Sequence, residues 1–244
     1  MPVAIARTAG AMRSPTAEEL IERVLYRDAL MLVIDKPPGI PVHAGPRGGP
    51  NLEALFGALR FGLPHPPALA HRLDRDTSGC LILGRHRRAL AKLGRLFAEG
   101  AITKTYWAIV EGEPNPSAGR IDMPLKKLTL KSGWRVIGDA SGQTAVTDWR
   151  TLAAGGGHAL IEAQPRTGRT HQIRVHLASL KHPILGDASY GSNTADEDEP
   201  AFLHLHARAI EVPLYPKRPP VRIEAPLPAQ IARTLRNLGL QLPE

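Results

Sequence analysis

The sequence predicts an α+β fold, with a mixed, mainly antiparallel sheet and flanking helices. Short apolar runs of strand length recur along the chain. Helical patterns interrupt them without the strict strand–helix–strand alternation of a parallel sheet. In addition, TAVTDWRTLAA and HALIEAQP are joined by Gly155-Gly156-Gly157, which reads as an antiparallel hairpin.

In chain order, residues 1–16 are small and unpatterned and read as a flexible N-terminal tail. TAEELIERVLYRD reads as a short capped helix or turn, and ALMLVIDKPPG as a buried strand stopped by the Pro-Pro-Gly turn. PVHAGPRGGP is a loop; NLEALFGALRFG then sets Leu52, Leu55, Phe56 and Leu59 at helical spacing. ALAHRLD leads through a charged stretch into the apolar CLILG. RRALAKLGRLFAEG carries Leu90, Leu93, Leu96 and Phe97 on one helical face, with Gly100 as the stop. TKTYWAIVEG (103–112) alternates as a strand, with Lys104, Tyr106, Ala108 and Val110 on one face. RTHQIRVHLASL reads as an amphipathic helix and FLHLHARAIEV as a strand, and QIARTLRNLGL closes with Ile231, Leu235 and Leu238 on one face. No repeat appears and no Pro-rich stretch reads as a linker, so residues 17–244 are expected to form a single domain.

Composition bounds the class. Of 244 residues, 43% are hydrophobic and 5% aromatic, an ordinary soluble balance for a chain long enough to bury a core. The longest wholly apolar run, ALMLVI (29–34), is far too short to span a bilayer. The opening residues lack the continuous apolar stretch of a secretory signal. The single cysteine, Cys80, excludes an intrachain disulfide and suits a reducing cytoplasm. A net charge of +8 and a pI near 10.0 fit either a polyanionic partner, nucleic acid first, or a liberal use of arginine. GRHRRALAKLGR (84–95) holds basic residues and no acid, whereas ADEDE (195–199) is an acidic loop.

Three clusters carry the candidate chemistry: HRLDRDTSG (71–79), KTYWAIVEG (104–112) and RTGRTHQIRVHL (166–177). Singly, each has a plain structural explanation: a polar turn with Asp74 and Asp76 bonded to local amides, a strand with a core tyrosine, and a helix with surface arginines. His171 and His176 lack the four-residue spacing of a zinc pair. His204 and His206 could converge with His71, but no Cys pair or HExxH supports a metal site. Cys80 lies in an apolar run, which argues for an inert thiol. No serine has a nucleophile-elbow sequence, and neither GPRGGP nor GGG has phosphate-loop spacing.

Taken together, these clusters with HPILGDASYG (182–191) resemble the RluA-type RNA pseudouridine synthase family. VIDKPPGIPVH (33–43) is similar to that family's opening strand and turn, with Asp35 where asparagine is common, and LHLHA (203–207) to its late strand. The likeness runs from about residue 24 to 215. Some relatives carry an S4-type RNA-binding extension, for which the first twenty-odd residues leave no room.

The resemblance implies isomerisation of a uridine in structured RNA, ribosomal or transfer, without cofactor or metal. By position, Asp74 matches the essential aspartate, Tyr106 the active-site tyrosine, and Arg174 the arginine that pairs with the aspartate, Arg169 being the second choice. An arginine suits that place because it stays charged and offers a planar fork to a carboxylate. Arg72 is expected to share Asp74's face and to fill the gap left by a flipped nucleotide or touch its phosphate. Leu205 lines the base pocket or is plain core. Arg85, Arg87, Arg88 and Lys92 contact phosphate or form a solvated helix face. Asp187 is expected to cap a turn. Thr77-Ser78-Gly79 are expected to make the bend of the charged loop. A cytoplasmic monomer is the expected setting. The rival readings are a non-catalytic RNA-binding or chaperone protein and a metal-dependent hydrolase.

Overall fold

The computed structural model describes residues 14–45, 48–130, 133–191 and 202–242. Helix α1 (Ala17–Glu22) opens on a capping box: Thr16 Oγ1 accepts from the Glu19 amide, and Glu19 accepts from the Thr16 amide in return. Strands β1 (Val24–Arg27) and β2 (Met31–Lys36) follow, then a 3-10 helix (Glu53–Leu59), β3 (Ala68–Leu69), β4 (Ser78–Gly84) and α2 (Arg87–Ala98). The middle of the chain forms β5 (Thr103–Glu111), β6 (Ala118–Asp122), β7 (Leu125–Leu130), β8 (Gly133–Gly138), β9 (Val146–Gly155) and β10 (His158–Pro165). Helix α3 (Gln172–Ser179), β11 (Leu205–Val212), β12 (Val221–Glu224) and α4 (Ala229–Asn237) complete the order. The tail expected before residue 14 and the acidic loop at 195–199 lie outside the described residues.

Ten strands form one sheet in the order β1-β2-β4-β11-β5-β10-β9-β6, with β3 on β4 and β12 on β11. The β4/β11 pairing is parallel, Ser78 opposite His206 and Gly79 opposite Ala207, and the others are antiparallel. This is the expected mixed, mainly antiparallel α+β architecture. Period-two alternation explains why the central strands read as continuous apolar runs. On β2, Leu32 and Ile34 join Leu81, Leu83 and Phe56 on one side, while Met31 and Val33 join Ile82 and Leu93 on the other. On β5 and β10, Ala108, Val110, Ala159 and Ile161 pack under α3, and Ile109 and Leu160 face α4.

Two elements depart from expectation. Strands β7 and β8 form a separate two-stranded hairpin where the sequence suggested no element. Helix α3 has no solvent face over Gln172–Leu177, all of which are buried, so it is not amphipathic. Its polar side chains survive burial because each is bonded. Gln172 donates to the Val146 carbonyl, Arg174 to Asp187, and His176 bonds Thr147 Oγ1 and the Met123 carbonyl. Among the described residues no helix is long and apolar enough to cross a membrane.

Candidate active site

A cleft of about 770 Å³ opens where the β3–β4 loop, β5, the β10–α3 turn and the β7–β8 hairpin meet. Arg72, Arg75, Lys104, Lys127, Arg166, Arg169 and Arg174 line it, with Asp74 as the acid among them. Such a wall attracts a polyanion.

The loop that presents Asp74 is built from both ends. Leu73 points into the core at 7% exposure, so its neighbours Arg72 and Asp74 are turned to the cleft. The Thr77 amide donates to the Asp74 carbonyl at 3.2 Å, closing a turn over residues 74–77. Ser78 and Gly79 already belong to β4, so the bend is centred on Arg75 and Asp76, ahead of the expected Thr77-Ser78-Gly79. Gly79 has φ +105°, and a Cβ there would run into the Ala207 backbone of β11. Only glycine lets the two parallel strands approach so closely. Beneath the turn lies Lys36, fully buried, whose Nζ donates to the carbonyls of Pro37, Arg75 and Thr77, each at 2.8 Å. Burial pushes this ammonium down to about 7, opposed by Asp76, Asp74 and Asp35.

Around Asp74 the contacts are specific. His171 Nε2 lies 4.0 Å from Asp74 Oδ2. His171 holds a left-handed backbone, φ 53° and ψ 19°, at the start of α3, a conformation that costs a non-glycine residue energy. Its Nδ1 is 2.9 Å from Tyr190 Oη, which accepts from the Val136 amide at 3.1 Å. Donation of the tyrosine hydroxyl hydrogen to Nδ1 would leave the ring proton on Nε2, facing Asp74. Burial pushes the imidazole below its usual value; Asp74 opposes this and Arg174 adds to it. Arg174 meets Asp187 in a two-bond fork, Nε to Oδ2 and Nη2 to Oδ1, both 2.7 Å, with side chains 8% and 0% exposed. Tyr106, on β5, packs between two core clusters and reaches the cleft. Burial, with help from Asp74 and Cys80, raises its phenol well above the usual value. Lys104, two residues along the same face, donates to the Thr167 carbonyl at 2.9 Å, and burial lowers it to about 8.

Residues 30–179 match the family model described as RNA pseudouridylate synthase. The chain belongs to that family. It is therefore an isomerase acting on RNA. It is 45% identical over 211 residues to an RNA pseudouridine synthase of Zymomonas mobilis described as uncharacterized, covering 86% of this chain and 95% of the relative. It is 35% identical over 240 residues to the ribosomal large subunit pseudouridine synthase C of Vibrio vulnificus, covering 95% and 74%. The solved human RNA pseudouridylate synthase domain containing 4 superposes with TM-score 0.79 at 29% identity, over 93% of this chain and 97% of that one.

In this pseudouridylate synthase the cleft gathers Arg72, Asp74, Tyr106, Arg169, Arg174 and Leu205, six of the residues singled out in the sequence. Leu205 is both things weighed for it, a buried core residue and a cleft wall. The expected pairing is corrected: neither Arg174 nor Arg169 bonds Asp74. Arg174 takes Asp187, and Arg169 Nε donates to the Thr144 carbonyl at 3.0 Å. Asp187 wins because the turn after Ile184 carries it into the interior beside the guanidinium, while Asp74 stays 30% exposed in the cleft. Asp187 also caps its turn as expected, accepting from the Ser189 and Tyr190 amides. Arg174's charge still reaches Asp74 through space.

The basic run 84–95 fares differently. Arg85 is corrected: its guanidinium donates to the carbonyls of Asp28, Arg60 and Phe61, tying β4 to the loops beside it rather than meeting phosphate. Arg87 and Arg88 are exposed on the first turn of α2, whereas that helix gives the cleft its far end, Phe97 and Ala98. Ten residues separate Arg88 from Ala98, roughly 15 Å along a helix. Lys92 lies 5.9 Å from the Tyr215 ring. The three histidines weighed as metal ligands do not converge. His71 Nε2 accepts from the Ile82 amide, His206 bonds Ser78 Oγ, and His204 bonds the Leu185 carbonyl and Thr234 Oγ1.

Sequence reasoning missed Lys36, His171 as Asp74's neighbour, and Trp134 with Lys127 on the cleft wall. A lysine closing a buried apolar strand was the one local sign of Lys36. The short alternations Leu128-Thr129-Leu130 and Trp134-Arg135-Val136 were the local sign of the hairpin that carries Lys127 and Trp134.

Proposed function

We propose that this chain converts a uridine in structured RNA to pseudouridine, with Asp74 as the essential carboxylate, in a single catalytic domain over residues 17–244. The observation that carries the reading is the placement of Asp74, a partly exposed carboxylate whose charged neighbours in the cleft lining are all basic, in the same cleft as Tyr106. The reaction breaks the N1–C1′ bond, turns the uracil and joins C5 to C1′; C5 loses a proton and N1 gains one. Asp74 serves either by attacking C1′ or by removing the C2′ proton, and both require its ionised form. Tyr106, with its phenol held neutral, suits a stacking and hydrogen-bonding role against the uracil. Arg174, held by Asp187, supplies fixed positive charge near Asp74. Arg72, whose Nη1 lies 3.4 Å from His43 Nε2 at the rim, fills the place of the flipped nucleotide. Flipping costs a few kcal/mol, least in single strands and loops, so the target is an accessible uridine. The name of the Vibrio relative favours ribosomal over transfer RNA. We place the reaction in the cytoplasm, in a monomer, with no cofactor.

RNA tritiated at uridine C5 should lose tritium to water on incubation with the protein. Asp74→Asn should abolish release while keeping RNA affinity. Full release by that variant would overturn the assignment, and binding without release by the unaltered protein would favour an RNA-binding or chaperone role.

A further inference from the structure

We infer that Trp134 is a stacking platform for the unpaired base next to the flipped uridine, and that Lys127 meets the adjoining phosphate. This rests on the uridine-isomerising reading of the cleft. The β7–β8 hairpin is divided. Its inner part is anchored, with Leu125 and Val136 buried against Ala145 and Val175 and the Val136 amide bonded to Tyr190. Its outer part is not, and Trp134 remains 46% exposed. A single half-exposed aromatic is ordinary on an outer surface, but this one stands in the wall of the cleft.

The ring is also held in position. The His171 imidazole lies 5.0 Å from it, tilted by 35°, and Lys127 Nζ is 4.3 Å from its centroid. His171 is in turn 4.0 Å from Asp74. One imidazole therefore separates the indole from the carboxylate proposed to act on the flipped uridine, which places Trp134 within reach of a neighbouring nucleotide. Unpaired strands are held by this combination of an aromatic face with a cationic groove, and Arg166 and Arg169 supply further positive charge on the same wall. Lys127 is exposed on a long flexible stem. A base settling on the indole moves its ammonium from the ring to the phosphate, where charge neutralisation releases counterions.

The test uses the full chain and unmodified bulk RNA from cells lacking its gene. Acrylamide should quench Trp134 in the free protein and quench it less once RNA is added. Trp134→Phe supplies the background from Trp107 and Trp149. Trp134→Ala should weaken RNA binding roughly five- to a hundredfold, the range for one lost base stack, and Trp134→Phe should recover most of that. Lys127→Gln should lower the slope of log affinity against log salt by about one. Tritium release by the unaltered protein tests isomerisation separately: protection of Trp134 without release would fail that reading and leave the platform standing. Unchanged quenching with RNA, together with wild-type affinity in Trp134→Ala, would overturn the platform. So would protection that grows with protein concentration in the absence of RNA, which would assign Trp134 to a contact between two copies.

Discussion

Replacing Asp187 with alanine removes the partner of a guanidinium that is only 8% exposed and donates two 2.7 Å hydrogen bonds to that carboxylate. Breaking a buried pair from one side costs about 3–5 kcal/mol, because the remaining charge is left desolvated. The Ser189 and Tyr190 amides lose their acceptor in the same step, which places the change toward the upper end. Asp187→Asn keeps an oxygen for those amides but loses the charge, and should cost about 1.5–3 kcal/mol, the worth of a hydrogen bond to a charged group. Urea unfolding at neutral pH gives both numbers. The pH dependence has a definite sign. Burial pushes the Asp187 carboxyl up, but Arg174 and the two amides hold it below the ordinary value of 3.8. Its contribution is therefore fully present above pH 3.8 and is lost as pH falls through the lower folded value. The gap between wild type and Asp187→Ala should stay constant near neutrality and close in acid. Tritium release, measured well below both unfolding midpoints, should fall in both variants if the pair sets the field at Asp74. A stability change under about 1 kcal/mol, far below the cost of a broken buried pair, or a gap that widens in acid, would refute the reasoning.

Three further outcomes are expected. Lys36→Met removes the donor to three carbonyls under the Asp74 turn and should cost about 1–3 kcal/mol; amide exchange at residues 75–77 should accelerate, and unchanged exchange would contradict the clamp. Tyr190→Phe takes away the hydroxyl at His171 Nδ1, so imidazole nitrogen shifts should report a mixture of tautomers; a single unchanged tautomer would show that Tyr190 does not set it. Burial depresses His71 to about 3, with Lys104 adding to it, and His206 to about 4. Below pH 6.5 the unfolded chain takes up protons the folded one refuses, so stability should decline from there toward pH 4. His71→Gln should flatten that decline in urea titrations, and an identical decline in the variant would remove His71 as its source.

Much of the molecule is legible locally. Alternation marked β5, the triple-glycine turn marked β9 and β10, the continuous apolar runs marked β2 and β4, and the 3.6-residue spacing of Leu90, Leu93, Leu96 and Phe97 marked α2, because these signals arise within or between adjacent elements. The density of charge in HRLDRDTSG marked an unusual loop, and the resemblance carried by the three blocks together singled out Asp74, Tyr106 and Arg174. What failed was partner choice. A buried helix whose Gln172, Arg174 and His176 are all bonded looks amphipathic from its polarity, since burial is decided by the elements packed around it. Lys36 meets Arg75 and Thr77 across about forty residues, and Val136 reaches Tyr190 across 54.

The amino-acid sequence by itself determined the central strands, most helices, the family and six of the residues that line the cleft, since those follow from local pattern and short motifs. Only the tertiary structure decided that Arg174 bonds Asp187 and not Asp74, that Arg85 is tied to carbonyls, and that a hairpin brings Trp134 beside His171. Each of these is a competition between partners whose distances are set by how the sheet closes and which charges it removes from water, and neither is encoded in spacing along the chain.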